Sequence, residues 1–137
     1  MKLWVKVLLV TLLFGIPAFL TGRSIWPPDP MMSPTSAQLP FFIFLSILES
    51  LLFGLGISFI VFGWKRFVQG ALDVKLAFIA VAWLLVSWWP HDNLHAHNGL
   101  NMQGLLYIEY GFHLTLMIAG VVLAYFFLKH SNSIKKS

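Results

Sequence analysis

The sequence predicts an all-α fold, a polytopic membrane protein in which four transmembrane helices form one bundle. Of its 137 residues, 58% are hydrophobic and only 10% are charged, which leaves too little polar surface to cover a soluble domain. Four apolar segments, at about residues 3–20, 41–64, 71–89 and 105–128, approach the length needed to cross a hydrocarbon core of ~30 Å. Basic residues flank these segments. We therefore expect residues 1–137 to form a single membrane domain.

The first apolar segment follows a short basic stretch that contains Lys2 and Lys6. This pattern is also typical of a secretory signal peptide, but no convincing small-residue cleavage site follows it, so we expect a retained helix. Small residues occupy one stripe of this helix and would allow close contact with a neighbouring helix. They are Thr11, Gly15, Ala18 and Gly22.

The connection at residues 21–40 contains five prolines. Proline removes a backbone donor and disfavours a continuous helix, so this connection should be extended or rich in turns. It is longer than a tight helix connection requires. We expect it to fold back over the molecule as a lid.

The second apolar segment carries an acidic residue, Glu49. A charged, unpaired carboxylate at membrane depth costs several kcal/mol, so Glu49 should face the protein interior and have a partner or a proton. Glycines at 54, 56 and 63 offer further small surfaces for close helix packing. The third segment should end at Pro90, because proline cannot continue a helix.

Orientation follows from the basic residues. In a four-span arrangement they all fall on one side of the membrane except Arg23, which predicts that both termini are cytoplasmic. The connections at 21–40 and 90–104 then share the external side. We expect an integral protein of a bacterial cytoplasmic membrane, the commonest setting for so compact a chain. The positive net charge is explained by these flanking residues, so nucleic-acid binding is not indicated.

Four of the five histidines lie between His91 and His113, and three of them fall in the segment Trp88 to Gly99. If that segment stays helical past Pro90, His91 and His95 share a face; if it is extended, His95 and His97 do. Asp92 could accept a hydrogen bond from an imidazole and fix its tautomer.

Two further groups lie at membrane depth below the histidine segment. Glu109 and His113 are four residues apart and should share one helix face. Glu49 and His113 are each about nine residues inside their segments, ~13 Å deep, so the two could meet at one level. Glu109 would lie closer to the external surface.

Imidazoles and carboxylates together bind divalent transition ions such as Zn(II), Fe(II), Cu(II) or Mn(II). The candidate metal ligands are His91, His95, His97, Glu109 and His113; the candidate catalytic groups are Glu49, Glu109 and His113. The chain has no cysteine, which excludes thiolate ligands, iron–sulfur clusters and disulfides. Five histidines are too few for the several histidine boxes of membrane-bound fatty-acid desaturases. The H-E-x-x-H zinc motif and glycine-rich phosphate loops are also absent.

Three functions fit these observations. The first is a membrane metal-binding protein with its site near the external face, a site that could also make it an enzyme acting on a lipid-soluble substrate. A metal-free intramembrane acid/base enzyme, in which a carboxylate and His113 move a proton, is the second. The third is a non-enzymatic accessory subunit of a larger membrane assembly. Expected partners are membrane lipid, a lipid-soluble substrate, and either a second copy of the chain or a larger complex.

Overall fold

The computed structural model of the protein describes residues 1–134, and these residues are almost entirely helical. Two of the basic residues that follow the fourth apolar segment, Lys135 and Lys136, lie outside the described residues. A short 3-10 turn, Pro30–Met32, and a π-helical segment, Glu109–His113, interrupt the α-helical pattern. The α-helices are α1 (Leu3–Ile25), α2 (Leu39–Gln69), α3 (Leu72–Val86), α4 (Trp88–Asn98), α5 (Met102–Ile108) and α6 (Leu114–Ile134).

Three stretches are long and apolar enough to cross a membrane by themselves. They are α1, α2 and the continuous run of α5, the π-helical segment and most of α6, from Met102 to His130. A fourth crossing is reached if α3 and α4, which meet at a bend of 44°, form one broken span. The structure thus agrees with the prediction of an all-α chain, it has three to four candidate spans where the sequence predicts four, and it is consistent with an integral membrane protein.

The break between α3 and α4 has a clear cause in the sequence. Pro90 lacks a backbone N–H and its ring would clash with the carbonyl of Val86, four residues earlier, so the helix cannot continue through it unbroken. The chain bends at Ser87 and restarts at Trp88, which places Pro90 in the first turn of α4, where proline is tolerated. The expected connection at 90–104 therefore contains a helix instead of being a loop throughout.

The close contact between α1 and α2 uses the small residues that the sequence places there. Gly15, Ala18 and Gly22 are the buried residues of α1. On α2, a side-chain carbon added to Gly54 would overlap the backbone of Thr11. The two backbones thus meet directly, as expected for membrane helices that pack through small residues.

The helices pack in chain order. In the described part of the chain, α1 packs extensively on α2, α2 on α3 and α3 on α6. No comparably extensive contact joins α1 to α6 within residues 1–134, so the helices form a row. Each therefore presents broad apolar faces, and large side chains such as Leu13, Val121 and Phe127 are more than half exposed. Such an outward apolar surface is appropriate where the solvent is lipid.

The proline-rich connection folds back over α4, as expected. The Asp29 N–H donates to the Ala96 carbonyl oxygen at 2.8 Å, and the Asp29 side chain caps the 3-10 turn by accepting from the Met31 N–H. Gly99 ends α4 with φ of 54°, and a side chain there would overlap the Asp29 carboxylate. Glycine at position 99 thus allows the positive φ at the end of α4 and also the close approach of Asp29 from the proline-rich connection.

Candidate metal centre

Helix α4 forms the framework of the site. It packs between α2 on one side and α5 on the other, and it also touches α1 and α3. The Trp89 indole N–H donates to the Ala18 carbonyl oxygen at 3.1 Å, which fixes the first turn of α4 against α1. Since the segment is helical past Pro90, its histidines follow helical spacing.

His91 and His95 lie one turn apart on the same face of α4, as expected for a helical segment. Their rings meet edge to face, with centroids 4.6 Å apart. His113, from the π-helical segment, completes the group: its ring lies 4.8 Å from that of His91 and 5.6 Å from that of His95, centroid to centroid. All three are half-buried. We call these three residues the histidine cluster.

The ring nitrogens of the histidine cluster converge. One nitrogen from each ring lies within 4.8 Å of the others, which is close enough for all three to ligate a single ion. The Nε2 atoms of His91 and His113 are only 2.7 Å apart, so one of them carries a proton and donates to the other.

Glu109 determines which nitrogen of His113 faces the cluster. Its Oε2 lies 2.7 Å from His113 Nδ1. An ionised carboxylate only accepts hydrogen bonds, so in a neutral His113 ring the proton is on Nδ1 and Nε2 has a free lone pair. Carboxylates hold ligand histidines in this way at many metal sites, where they fix the tautomer and raise ligand basicity.

The π-helical segment positions His113. The Leu114 N–H donates to the Glu109 carbonyl oxygen, five residues back, instead of to the usual partner four residues back. The Thr115 hydroxyl donates to the Gly111 carbonyl oxygen at 2.7 Å and accepts from the Trp83 indole at 2.9 Å. The widened turn is therefore anchored to α3. Such π-helical turns occur frequently at functional sites.

Two of the predicted site residues, His97 and Glu49, lie apart from the histidine cluster. His97 is exposed, and its Nδ1 lies 2.7 Å from the Pro27 carbonyl oxygen, so it holds the proline-rich connection. Helical spacing explains this, because His97 lies about 200° around the helix from His95. Glu109, the fifth predicted ligand, reaches the cluster through its hydrogen bond with His113.

Glu49 reaches α4 on the side away from the histidine cluster. Its carboxyl group lies near that of Asp92, its buried Oε2 has no hydrogen-bond partner among the described residues, and the Arg23 guanidinium is 3.9 Å from Asp92. The expected meeting of Glu49 with His113 is therefore replaced by a contact with Asp92. The reason is that α4 lies between α2 and the π-helical segment, a placement that linear depth could not reveal.

Two features around α4 were not predicted from the sequence. The first is the group of Arg23, Asp92 and Glu49, although Arg23 stood out as the one basic residue on the predicted external side. The aromatic support was also missed: Phe112 stacks on Trp83 and contacts His91, with centroids 5.7 and 5.6 Å apart. Spacing along the chain contains no signal for that contact.

The donor set fits a transition ion better than Ca²⁺ or Mg²⁺, which prefer oxygen. Nitrogen ligands lie ~2.0–2.1 Å from zinc, so two of them in a tetrahedral site are about 3.3 Å apart. His91 and His113, whose Nε2 atoms are 2.7 Å apart, would have to separate by roughly half an ångström, and a pair of ring nitrogens at the 4.8 Å limit would have to approach by about 1.5 Å, so ion binding requires rotation of these half-buried rings.

Comparisons of the chain with protein-family models, with curated proteins and with solved structures gave no match. The geometry of the site itself is therefore what indicates a function.

Proposed function

We propose that this chain is a membrane metal-binding protein that holds one divalent transition ion at the histidine cluster. The convergence of three ring nitrogens within 4.8 Å is the observation that carries this proposal. The hydrogen bond from His113 to Glu109 supports it, because it leaves His113 Nε2 available as a ligand. Zn(II) is the ion that we place first, with Fe(II), Cu(II) and Mn(II) as the other candidates.

Three protein ligands leave a coordination position for water or a substrate. Closed structural zinc sites use four protein ligands, whereas catalytic ones commonly use three. We therefore propose a metalloenzyme that acts on a lipid-soluble substrate, with Glu109 orienting His113 and available to move a proton. The distribution of basic residues supports an external position for the cluster.

Metal titration tests the proposal. We expect the chelator-treated protein to bind about one Zn(II) per chain in calorimetry, and His113→Ala to abolish that binding. His97→Ala is the matched control: it removes an imidazole of the same helical region that is bonded to Pro27, so binding should persist. A wild-type chain that takes up none of the four candidate ions in stoichiometric amount would overturn the proposal. Equal losses in the two variants would also overturn it.

A second candidate is a metal-free acid/base site. It is favoured by the continuous hydrogen-bonded chain from His91 through His113 to Glu109, which could pass a proton without an ion. The two functions separate cleanly in one experiment: activity of the acid/base site would survive exhaustive chelation, whereas the metal site would require the ion to be restored.

A further inference from the structure

A second site lies on the other side of α4 from the histidine cluster. A cavity of about 350 Å³ is lined by α1, α2, α4 and the proline-rich connection, which contributes Pro28 and Pro34. This volume lies in the range of small-molecule pockets, ~300–1,000 Å³. Its walls are mainly apolar and include three aromatic side chains, those of Phe19, Phe42 and Trp89.

An unpaired donor borders this cavity on α2. Ser50 is 2% exposed, and its hydroxyl has no hydrogen-bond partner among the described residues. Buried hydroxyls are normally paired, so the arrangement favours a ligand that brings a hydrogen-bond acceptor to Ser50. Ser46, one helical turn closer to the external end of α2, borders the same cavity.

A second donor borders the cavity on α1. The Arg23 guanidinium lies 3.9 Å from Asp92, which is too long for a hydrogen bond, so its N–H groups can reach a ligand. Arg23 lies eight residues further along α1 than Gly15, whose backbone meets that of Ser50. The two donors therefore lie at different levels of the cavity that Phe19, Phe42 and Trp89 also line.

Local charge selects against an anionic ligand. Arg23 is accompanied by two carboxyl groups, those of Asp92 and Glu49, so the region has no excess positive charge to attract another anion. A neutral molecule with two carbonyl acceptors on opposite edges of a flat ring would pair with both donors. It would also stack between the aromatic walls.

We propose that this cavity binds the ring of a quinone, with one carbonyl oxygen accepting from Arg23 and the other from Ser50. The isoprenoid or alkyl tail would leave between α1 and α2 toward the lipid, past Leu39 and Ile43. The site is distinct from the histidine cluster, and its occupation requires no metal ion.

A titration of the full chain with decylubiquinone in detergent or nanodiscs tests this assignment. Quenching of tryptophan fluorescence measures the binding. We expect Ser50→Ala and Arg23→Gln each to weaken binding by about tenfold, since each loses one hydrogen bond to the ligand. Ser58→Ala is the matched control: Ser58 is also on α2, fully buried and without a hydrogen-bond partner in residues 1–134, but it does not border the cavity. Its affinity should equal that of the wild type.

Two further measurements keep the result specific. Decanoate, a single-chain anion, should compete poorly with decylubiquinone, and effective competition would overturn the choice of a neutral ligand. His113→Ala should bind decylubiquinone like the wild type, so that failure of the metal proposal leaves this one separately testable. Two results would contradict the proposed quinone site. One is the absence of saturable binding, and the other is saturable binding that Ser50→Ala and Ser58→Ala weaken equally.

Discussion

His113 is held from three directions, and the candidate metal centre depends on it more than on any other residue. Glu109 accepts from one of its ring nitrogens, His91 contacts the other, and His95 stacks on its face with rings 25° from parallel. A ring held in this way has little rotational freedom left to lose when it ligates an ion. The position of His113 is therefore largely fixed before an ion binds.

Replacement of Glu109 should weaken metal binding without removing a ligand. We expect Glu109→Ala to lower Zn(II) affinity by about 10- to 100-fold, because His113 loses the acceptor that fixes its tautomer. Glu109→Gln should lose less, since an amide oxygen still accepts. Calorimetry measures both. Glu49→Gln is the control, because Glu49 lies beside Asp92 instead of the histidine cluster. A loss in Glu49→Gln as large as that in Glu109→Ala would contradict the assigned roles.

Metal binding should also depend steeply on pH. Each imidazole must be neutral to ligate, and burial lowers the pKa of His91 to about 4 and also lowers the pKa of His95. These two rings are therefore neutral near neutral pH, and affinity should fall as the pH decreases toward the pKa of His91. Dissociation constants measured between about pH 4 and 7.5 check this. An affinity that does not change over this interval would mean that the ion is not held by the histidines.

Among residues, the sequence predicted the ligand types better than their grouping. His91, His95 and His113 were all named, and the shared face of His91 and His95 followed from helical spacing once α4 was helical. The separation of His97 from His95 also depends on α4 being helical. The sequence could not predict this, because the segment after Pro90 could be either helical or extended. Asp92 was expected near an imidazole, but it contacts Arg23 and Glu49 because a residue next to His91 lies about 100° around the helix.

At the scale of single elements, α1 and α2 form the closest helix pair. Gly54 makes this possible, because no side chain separates it from the Thr11 carbonyl. Contacts of this kind depend on dispersion between atoms at short range, since lipid provides no hydrophobic driving force between helices. Any added volume must push the two helices apart.

A methyl group at position 54 should destabilise the protein. We expect Gly54→Ala to lower the free energy of unfolding by about 1–3 kcal/mol, the usual cost of overpacking. Gly120→Ala is the matched control: an added methyl there meets no atom within 4 Å in the described part of the chain, and alanine favours helix. Unfolding by SDS titration in mixed micelles measures both. Equal stabilities of the two variants would show that α1 and α2 tolerate separation at this point.

The elements differ in how well the sequence predicted them. The long apolar helices follow from composition, and the break near Pro90 follows from the missing N–H. The π-helical segment could not be foreseen, because Glu109 and His113 are four residues apart in either helix type. What favours the wider turn is a tertiary contact, the Thr115 hydroxyl bonded both to the Gly111 carbonyl and to Trp83 of α3.

At the scale of the whole molecule, the helices follow one another in a row, with α1 and α6 at its ends. The extensive contacts of residues 1–134 join helices that follow one another in the row, and a closed bundle of the four expected spans stays a prediction. Pairwise packing signals such as glycine stripes identify which faces touch, but they contain no information on whether the first and last helices meet. The number of spans could therefore be predicted more reliably than their arrangement.

Orientation in the membrane can be tested because the chain has no cysteine. Single substitutions Ser36→Cys, in the proline-rich connection, and Gln69→Cys, at the end of α2, place one thiol on each predicted side; both residues are exposed. A membrane-impermeant maleimide should label Ser36→Cys in intact cells and Gln69→Cys only after permeabilisation, as the basic residues predict. The reverse pattern would move the histidine cluster to the cytoplasmic side.

Helix α4 contacts both the proposed ion and the proline-rich connection. Its histidines face the ion, while Ala96 and His97 form hydrogen bonds with the backbone of residues 29 and 27, respectively. An ion that immobilises α4 would therefore also order the proline-rich connection, and by thermodynamic reciprocity an ordered connection would tighten ion binding. Resistance of that connection to an added protease would then report occupancy of the histidine cluster. It offers a readout of binding before any substrate is known.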